Sequence, residues 1–174
     1  ASIDDYLNNV IKKHENTLAQ KEQDSTRKEE LLLIAKNCDQ VPEKPARTFM
    51  EACQSFWFVQ MLLQTESSGH SISPGRFDQY MYPYFKQDLE NGTITKESAQ
   101  ELLDCIWVKL NDLNKVRDAA SSEGFAGYSL FQNLCVGGQT TEGLDATNEL
   151  SYLCIQASAH THLPQPSLSV RVWN

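Results

Sequence analysis

The last third of the sequence sets the tightest limit on its fold. Residues Leu130 to Val136 are dense in apolar strand formers, and Gly137-Gly138 follows as a stop. Asp145 is expected to cap a helix carrying Leu150, Leu153, Cys154 and Ala157, which ends before Pro164. The final stretch, residues 166–173, alternates strictly: Leu168, Val170 and Val172 share one face, while Ser167, Ser169 and Arg171 share the other. Strand, helix, strand in that order predicts two parallel neighbours joined by a helical crossover. A parallel pair is not a stable unit by itself, because parallel sheets need several strands and cover on both faces. The 174 residues are therefore expected to be a piece of a larger α/β protein.

The rest of the chain reads as helices. Ser2 is expected to cap a first helix, with Asp5 three residues on and an apolar face of Ile3, Tyr6, Leu7, Val10 and Ile11. Residues 12–30 are charged and polar, the pattern of a solvated helix face, and apolar periodicity returns at Leu31 to Ala35. Pro45 is placed at the start of the next helix, where its missing N–H costs nothing. In that helix Phe49, Ala52, Cys53, Phe56, Val59, Gln60 and Leu63 form a stripe that Trp57, Phe58 and Leu62 widen, so most of its sides are expected to be buried. Phe77 to Leu89 predicts a further helix closed by Asn91-Gly92. Thr95 caps the clearest one, with Ala99, Leu102, Leu103, Ile106, Leu110 and Leu113 on its apolar face. A Gly-containing loop then leads to the first strand.

Composition narrows the function. With 15 Lys+Arg against 23 Asp+Glu the net charge is −8, which argues against nucleic acid as a partner. No apolar run exceeds five residues, against about 20 needed to cross a bilayer, so no membrane role is expected. The start is acidic and unlike a signal peptide, which points to a cytoplasmic location. The five cysteines form no C-x-x-C pair and read as buried free thiols in a reducing compartment. His160 and His162 share a strand-like face, but no further ligand clusters with them, so no metal site is expected.

The densest polar cluster is Glu66-Ser67-Ser68-Gly69-His70-Ser71-Ile72-Ser73, set between two largely apolar helices. By composition it is either a loop that satisfies its own polar groups or a binding site for something polar. Arg76 and Asp78, two apart, read as local polar contacts, and Gly137-Gly138 lacks dinucleotide-binding spacing.

Three stretches together resemble the glycyl radical enzymes of the pyruvate formate-lyase superfamily. They are Glu66 through Pro83 (ESSGHSISPGRFDQYMYP), Phe131 through Gln139 (FQNLCVGGQ), and Asp145 through Glu149 with Leu163 through Asn174 (LPQPSLSVRVWN). Residues 45–58 and 111–118 add to the match, which runs in order from about Arg27 onward. The wording is most similar to the cobalamin-independent glycerol and diol dehydratase branch.

The resemblance implies a mainly helical fragment of a ten-stranded α/β barrel built around a buried radical site, residues 1–174 being part of one incomplete domain. It implies that an activating enzyme using S-adenosylmethionine and an iron–sulfur cluster installs an organic radical on a glycine. That radical generates a cysteine thiyl, and the thiyl takes a hydrogen atom from a small hydroxylated substrate. It also implies anaerobic metabolism and a homodimer when full-length. In this branch the radical cysteine is followed two residues later by the catalytic glutamate. The residues at that offset here are Gln40, Ser55, Trp107, Gly137 and Gln156, so none of the five cysteines fits. The glycyl radical segment is absent too, and the chain alone is expected to be inactive, with no catalytic residue of its own. Carried over by position, Ser71, His70, Phe131 and Glu66 are the expected substrate-binding residues, and Arg171 is weighed between facing the cavity and a structural ion pair. A carbon–carbon lyase of the pyruvate formate-lyase type and a non-catalytic helical module stand as the alternatives.

Overall fold

The computed structural model describes residues 6–67, 71–113, 118–125 and 130–173. It divides into two compact units, Ala1–Phe58 and Val59–Asn174. The expected Ser2 cap lies outside the described residues.

In the first unit a π-helical stretch, Leu7–Lys12, runs into α1 (Lys13–Lys21), and α2 (Ser25–Asn37) follows. The charged stretch 12–30 is therefore two helices. Glu22 turns extended, its side-chain Oε1 accepts the backbone N–H groups of Gln23 and Asp24, and Asp24 caps α2 by accepting the Arg27 N–H at 2.8 Å. Leu31, Ala35 and Val41 are buried, and Cys38 packs with Phe58 against Ile11 and Trp57. Buried Gln54 bridges α2, donating to the Ile34 carbonyl and accepting from Asn37.

The helix expected from Pro45 begins four residues later, as α3 (Phe49–Glu66). Thr48 decides the start: its Oγ1 accepts the Glu51 N–H at 3.1 Å and its carbonyl accepts the Ala52 N–H. Glu51 in turn accepts from the Arg47 backbone and guanidinium, whose hydrogen bonds hold its carboxyl below the usual carboxylate range. Val59 and Leu63 remain exposed on α3, so the helix is less enclosed than its composition suggests.

In the second unit α4 (Phe77–Glu90), α5 (Lys96–Asp112), α6 (Ala119–Phe125) and α7 (Glu149–Thr161) accompany β1 (Asn133–Gly137) and β2 (Ser167–Arg171). The strands are parallel, with Asn133 opposite Ser167 and Gly137 opposite Arg171, and α7 forms the crossover. The segment ending at Gly75 lies along the other side of β1 as a parallel bridge, Cys135 N–H donating to the Gly75 carbonyl at 2.7 Å. Phe77, Phe85, Leu103, Trp107, Leu110, Leu134 and Leu150 are the largest apolar members of this unit's core. Trp107 meets Phe77 edge-on at 6.5 Å between ring centroids and donates its indole N–H to Ser158.

Several expectations shift in register. The first strand begins at Asn133 rather than Leu130, because Phe131 takes a left-handed conformation that no strand continues through. Asn148, not Asp145, caps α7 through a reciprocal pair of hydrogen bonds with Ser151. Asp145 instead closes a turn by accepting the Thr147 N–H, and those hydrogen bonds hold its carboxyl low. The loop before β1 carries α6, whose Asp118 accepts from both Ser121 N and Oγ. In β2 the alternation holds, but its apolar face is open: Val170 is 55% exposed, and Val172 just beyond it 85%. Cys38, Cys53 and Cys154 are buried as expected, whereas Cys105 is exposed. His160 lies within α7 beside Asp104, and His162 is the left-handed residue that ends the helix, so the two share no strand face. No helix among the described residues is long and apolar enough to cross a membrane.

Candidate functional site

The site grows out of the end of α3 and the turn before β1. After Glu66 the chain leaves the helix, and Ser71 re-enters the described structure with φ +63°. Its N–H donates to the Leu130 carbonyl at 2.8 Å, so the two loops are stitched together at that point. The next residue, Phe131, has φ +54° and is 45% exposed. An L-residue in this region costs roughly 1–2 kcal/mol, because its Cβ crowds the carbonyl oxygen. Only three non-glycine residues among those described adopt it, and the third, His162, is a helix C-cap, where it is routine. Strain of this kind persists only where surrounding contacts hold it.

Those contacts are buried amides. Gln132 is completely buried; its Oε1 accepts from Gln60 Nε2 at 2.9 Å, and its Nε2 donates to the Leu110 carbonyl at 2.8 Å. Gln60 Nε2 also donates to the Ile72 carbonyl at 2.7 Å, one residue beyond Ser71. The Gln132 backbone N–H donates to Gln165 Oε1, and its carbonyl accepts the Ser167 N–H at the start of β2. Since Ile72 and Leu110 offer only carbonyl oxygens, both amides have one permitted orientation. Ser73 Oγ adds a further tie by accepting the Asn133 N–H.

Of the four expected binding residues, the structure brings together the loops of Ser71 and Phe131. His70 lies outside the described residues. Glu66 is exposed at the last position of α3, and no hydrogen bond or ion pair links it to Ser71 or Phe131 among the described residues. Arg171 sits opposite Gly137 at the far end of the strand pair, about 13 Å along β1 from its start at roughly 3.3 Å per residue. There it borders a cavity of about 310 Å³ with Arg76, Gly138, Gln139 and Val172, and no described carboxylate pairs with it.

The contacts of Arg76 and Asp78 are long-range, correcting the local reading. Arg76 donates to the carbonyls of Gly137 and Gln139, while buried Asp78 accepts the Gly137 N–H at 2.7 Å and the Ser151 hydroxyl. Sequence reasoning missed Gln132 and Gln165 and took Gln60 as one more stripe position. Glutamines set inside apolar runs were the available signal.

Burial pushes the Cys53 thiol well up, and burial outweighs a hydrogen bond from Gln54 in raising that of Cys38. Among the described residues no group of His, Cys, Asp and Glu is placed to hold a metal.

The profile of the family described as pyruvate formate lyase-like matches residues 1–174. A structure from work on 1,2-propanediol dehydration in Roseburia inulinivorans superimposes with TM-score 0.92 at 66% identity, over 98% of this chain and 20% of that one. The glycerol-bound B12-independent glycerol dehydratase from Clostridium butyricum does so with TM-score 0.90 at 53% identity, over 99% of this chain and 21% of that one. The isethionate sulfite-lyase of Desulfovibrio desulfuricans is 45% identical over 157 residues, 89% of this chain and 19% of its own length. The chain thus spans about a fifth of the length of the relatives it matches. A parallel strand pair with its crossover helix, mainly helical surroundings and this continuous likeness place the chain in the pyruvate formate lyase-like family.

Proposed function

We propose that these residues form part of the substrate-cavity wall of a glycyl radical dehydratase, a carbon–oxygen lyase that removes water from a small polyol. The observation that carries the reading is the strained pair: Ser71 and Phe131 are held in left-handed conformations on two loops stitched together by one backbone hydrogen bond. Likeness at 66% and 53% identity to structures described by diol dehydration and bound glycerol supports the substrate class.

The residues present do not fit the radical itself. No cysteine has Glu two positions on, so no radical step is assigned to this chain. In the full-length enzyme the glycyl radical, installed by an S-adenosylmethionine-dependent iron–sulfur activating enzyme, would supply hydrogen-atom abstraction. This chain would bind and orient. Ser71 Oγ, with His70 beside it in sequence, would hydrogen-bond a substrate hydroxyl, Phe131 would keep water from the reacting carbon, and Glu66 would contribute negative charge at the rim. A homodimer in the cytoplasm completes the proposal.

The isethionate sulfite-lyase, at 45% identity, favours a second reading in which the bond broken is carbon–sulfur rather than carbon–oxygen. The two are separated by assaying the activated full-length enzyme on 1,2-propanediol, glycerol, isethionate and pyruvate. Aldehyde formation from a diol is the expected result. Turnover of isethionate or pyruvate with none of the diols would overturn the dehydratase reading. The 174-residue chain alone is expected to show no turnover in the same assay.

A further inference from the structure

We infer that Gln132 is a positioning residue that holds Ser71 and Phe131 in their strained conformations. The inference rests on the reading of those two residues as the cavity wall. Gln132 does not touch the proposed substrate position: it is fully buried and follows the exposed Phe131 in sequence. What it does is close a circuit. Its backbone N–H, fixed by Gln165, immobilises the peptide after Phe131. Its side-chain Oε1 takes one of the two protons of Gln60 Nε2, and Gln60 spends the other on the carbonyl after Ser71. Two side-chain amides in series, those of Gln60 and Gln132, thereby connect the two loops, and the Leu110 carbonyl at the end of α5 anchors the Gln132 end.

A neutral amide meets these demands, since the site needs an acceptor toward Gln60 and a donor toward Leu110. Replacement by an ionised Glu keeps the acceptor and shape but loses the donor. Replacement by Met keeps approximate volume and loses both. Each leaves a buried polar group unpaired beside a strained turn, and the turn has cheaper conformations available.

The test uses the full-length enzyme with 1,2-propanediol and glycerol, rates being normalised to glycyl radical per subunit measured by electron paramagnetic resonance. Gln132→Glu is expected to lower kcat/KM by about tenfold or more at unchanged radical content. In a background carrying both Ser71→Ala and Phe131→Ala the same substitution should cost less than about threefold, because residues acting through one another are non-additive. Hydrogen exchange should quicken at residues 71–73 and 130–132 while α5 and α7 keep their protection. An equal fold-loss in both backgrounds, or unchanged exchange at both turns, would overturn the assignment. Should Gln132→Glu not fold, Gln60→Met leaves Gln132 tied to Leu110 and Gln165 and carries the same comparison. If Ser71→Ala alone leaves kcat/KM intact, the cavity-wall reading falls instead, and the exchange measurement alone then decides whether Gln132 holds the two turns.

Discussion

Both ends of β1 need backbone in the left-handed region, and they obtain it from different residues. At its C-terminal end the turn is made by Gly137 and Gly138, with φ of +72° and +87°. At its N-terminal end Ser71 and Phe131 adopt +63° and +54°. Glycine enters this region freely, whereas Ser and Phe pay for their Cβ. Where only the path of the chain matters, the sequence has taken the residue without a side chain. Where a hydroxyl and an aromatic ring stand despite the strain, the proposed cavity-wall role supplies the reason for them. The C-terminal end is thus read as structural and the N-terminal end as functional.

The largest effect is expected at the structural end. An alanine Cβ at Gly137 would lie 2.6 Å from the Arg171 carbonyl oxygen, in a conformation it already disfavours. Gly137→Ala should destabilise by about 3 kcal/mol, read as a lowered thermal midpoint of the full-length enzyme. Asp78→Ala should follow at roughly 2–3 kcal/mol, since it strands the buried Gly137 N–H and the Ser151 hydroxyl. If either variant melted like the parent, the structural reading of that end would be wrong.

At the functional end the effects should appear in turnover. A neutral hydrogen bond contributes about 0.5–1.5 kcal/mol, and an unpaired partner in a dry site costs about 1–3 kcal/mol. Ser71→Ala should therefore lower kcat/KM by roughly three- to a hundred-fold with little change in melting. Ser67→Ala, whose hydroxyl donates to the Leu63 carbonyl at the end of α3, is the control and should leave kcat/KM in place. The smallest effect sharpens the contrast most. Ser71→Gly removes the Cβ penalty and should raise stability by up to about 0.5–1 kcal/mol in thermal unfolding while lowering turnover like Ser71→Ala. A loss of stability there would mean the left-handed turn carries no strain.

The order of helices, the parallel strand pair and the crossover between them were legible because they rest on apolar periodicity and on a handful of stops. Boundaries slipped where one local hydrogen bond outranked a general preference. Thr48 moved the start of α3 away from Pro45, and Asn148 displaced Asp145 as the cap of α7. Glu22 broke a charged stretch that periodicity could not divide. The resemblance singled out Ser71 and Phe131, but their backbone was not legible, since nothing in one sequence marks a non-glycine residue as left-handed. The amides behind them were harder still. Gln60 and Gln132 lie 72 positions apart, and their pairing exists only once the loops have met.

A wall held by amides has a chemical consequence of its own. Gln60, Gln132 and Gln165 carry no proton that titrates in the physiological range and no charge for salt to screen. The geometry we infer them to impose on Ser71 and Phe131 should therefore be the same in acid or alkaline solution, at low or high ionic strength. Any bell in the rate–pH profile of the full-length enzyme must be traced to the groups that handle protons directly, because the frame behind them has none to give.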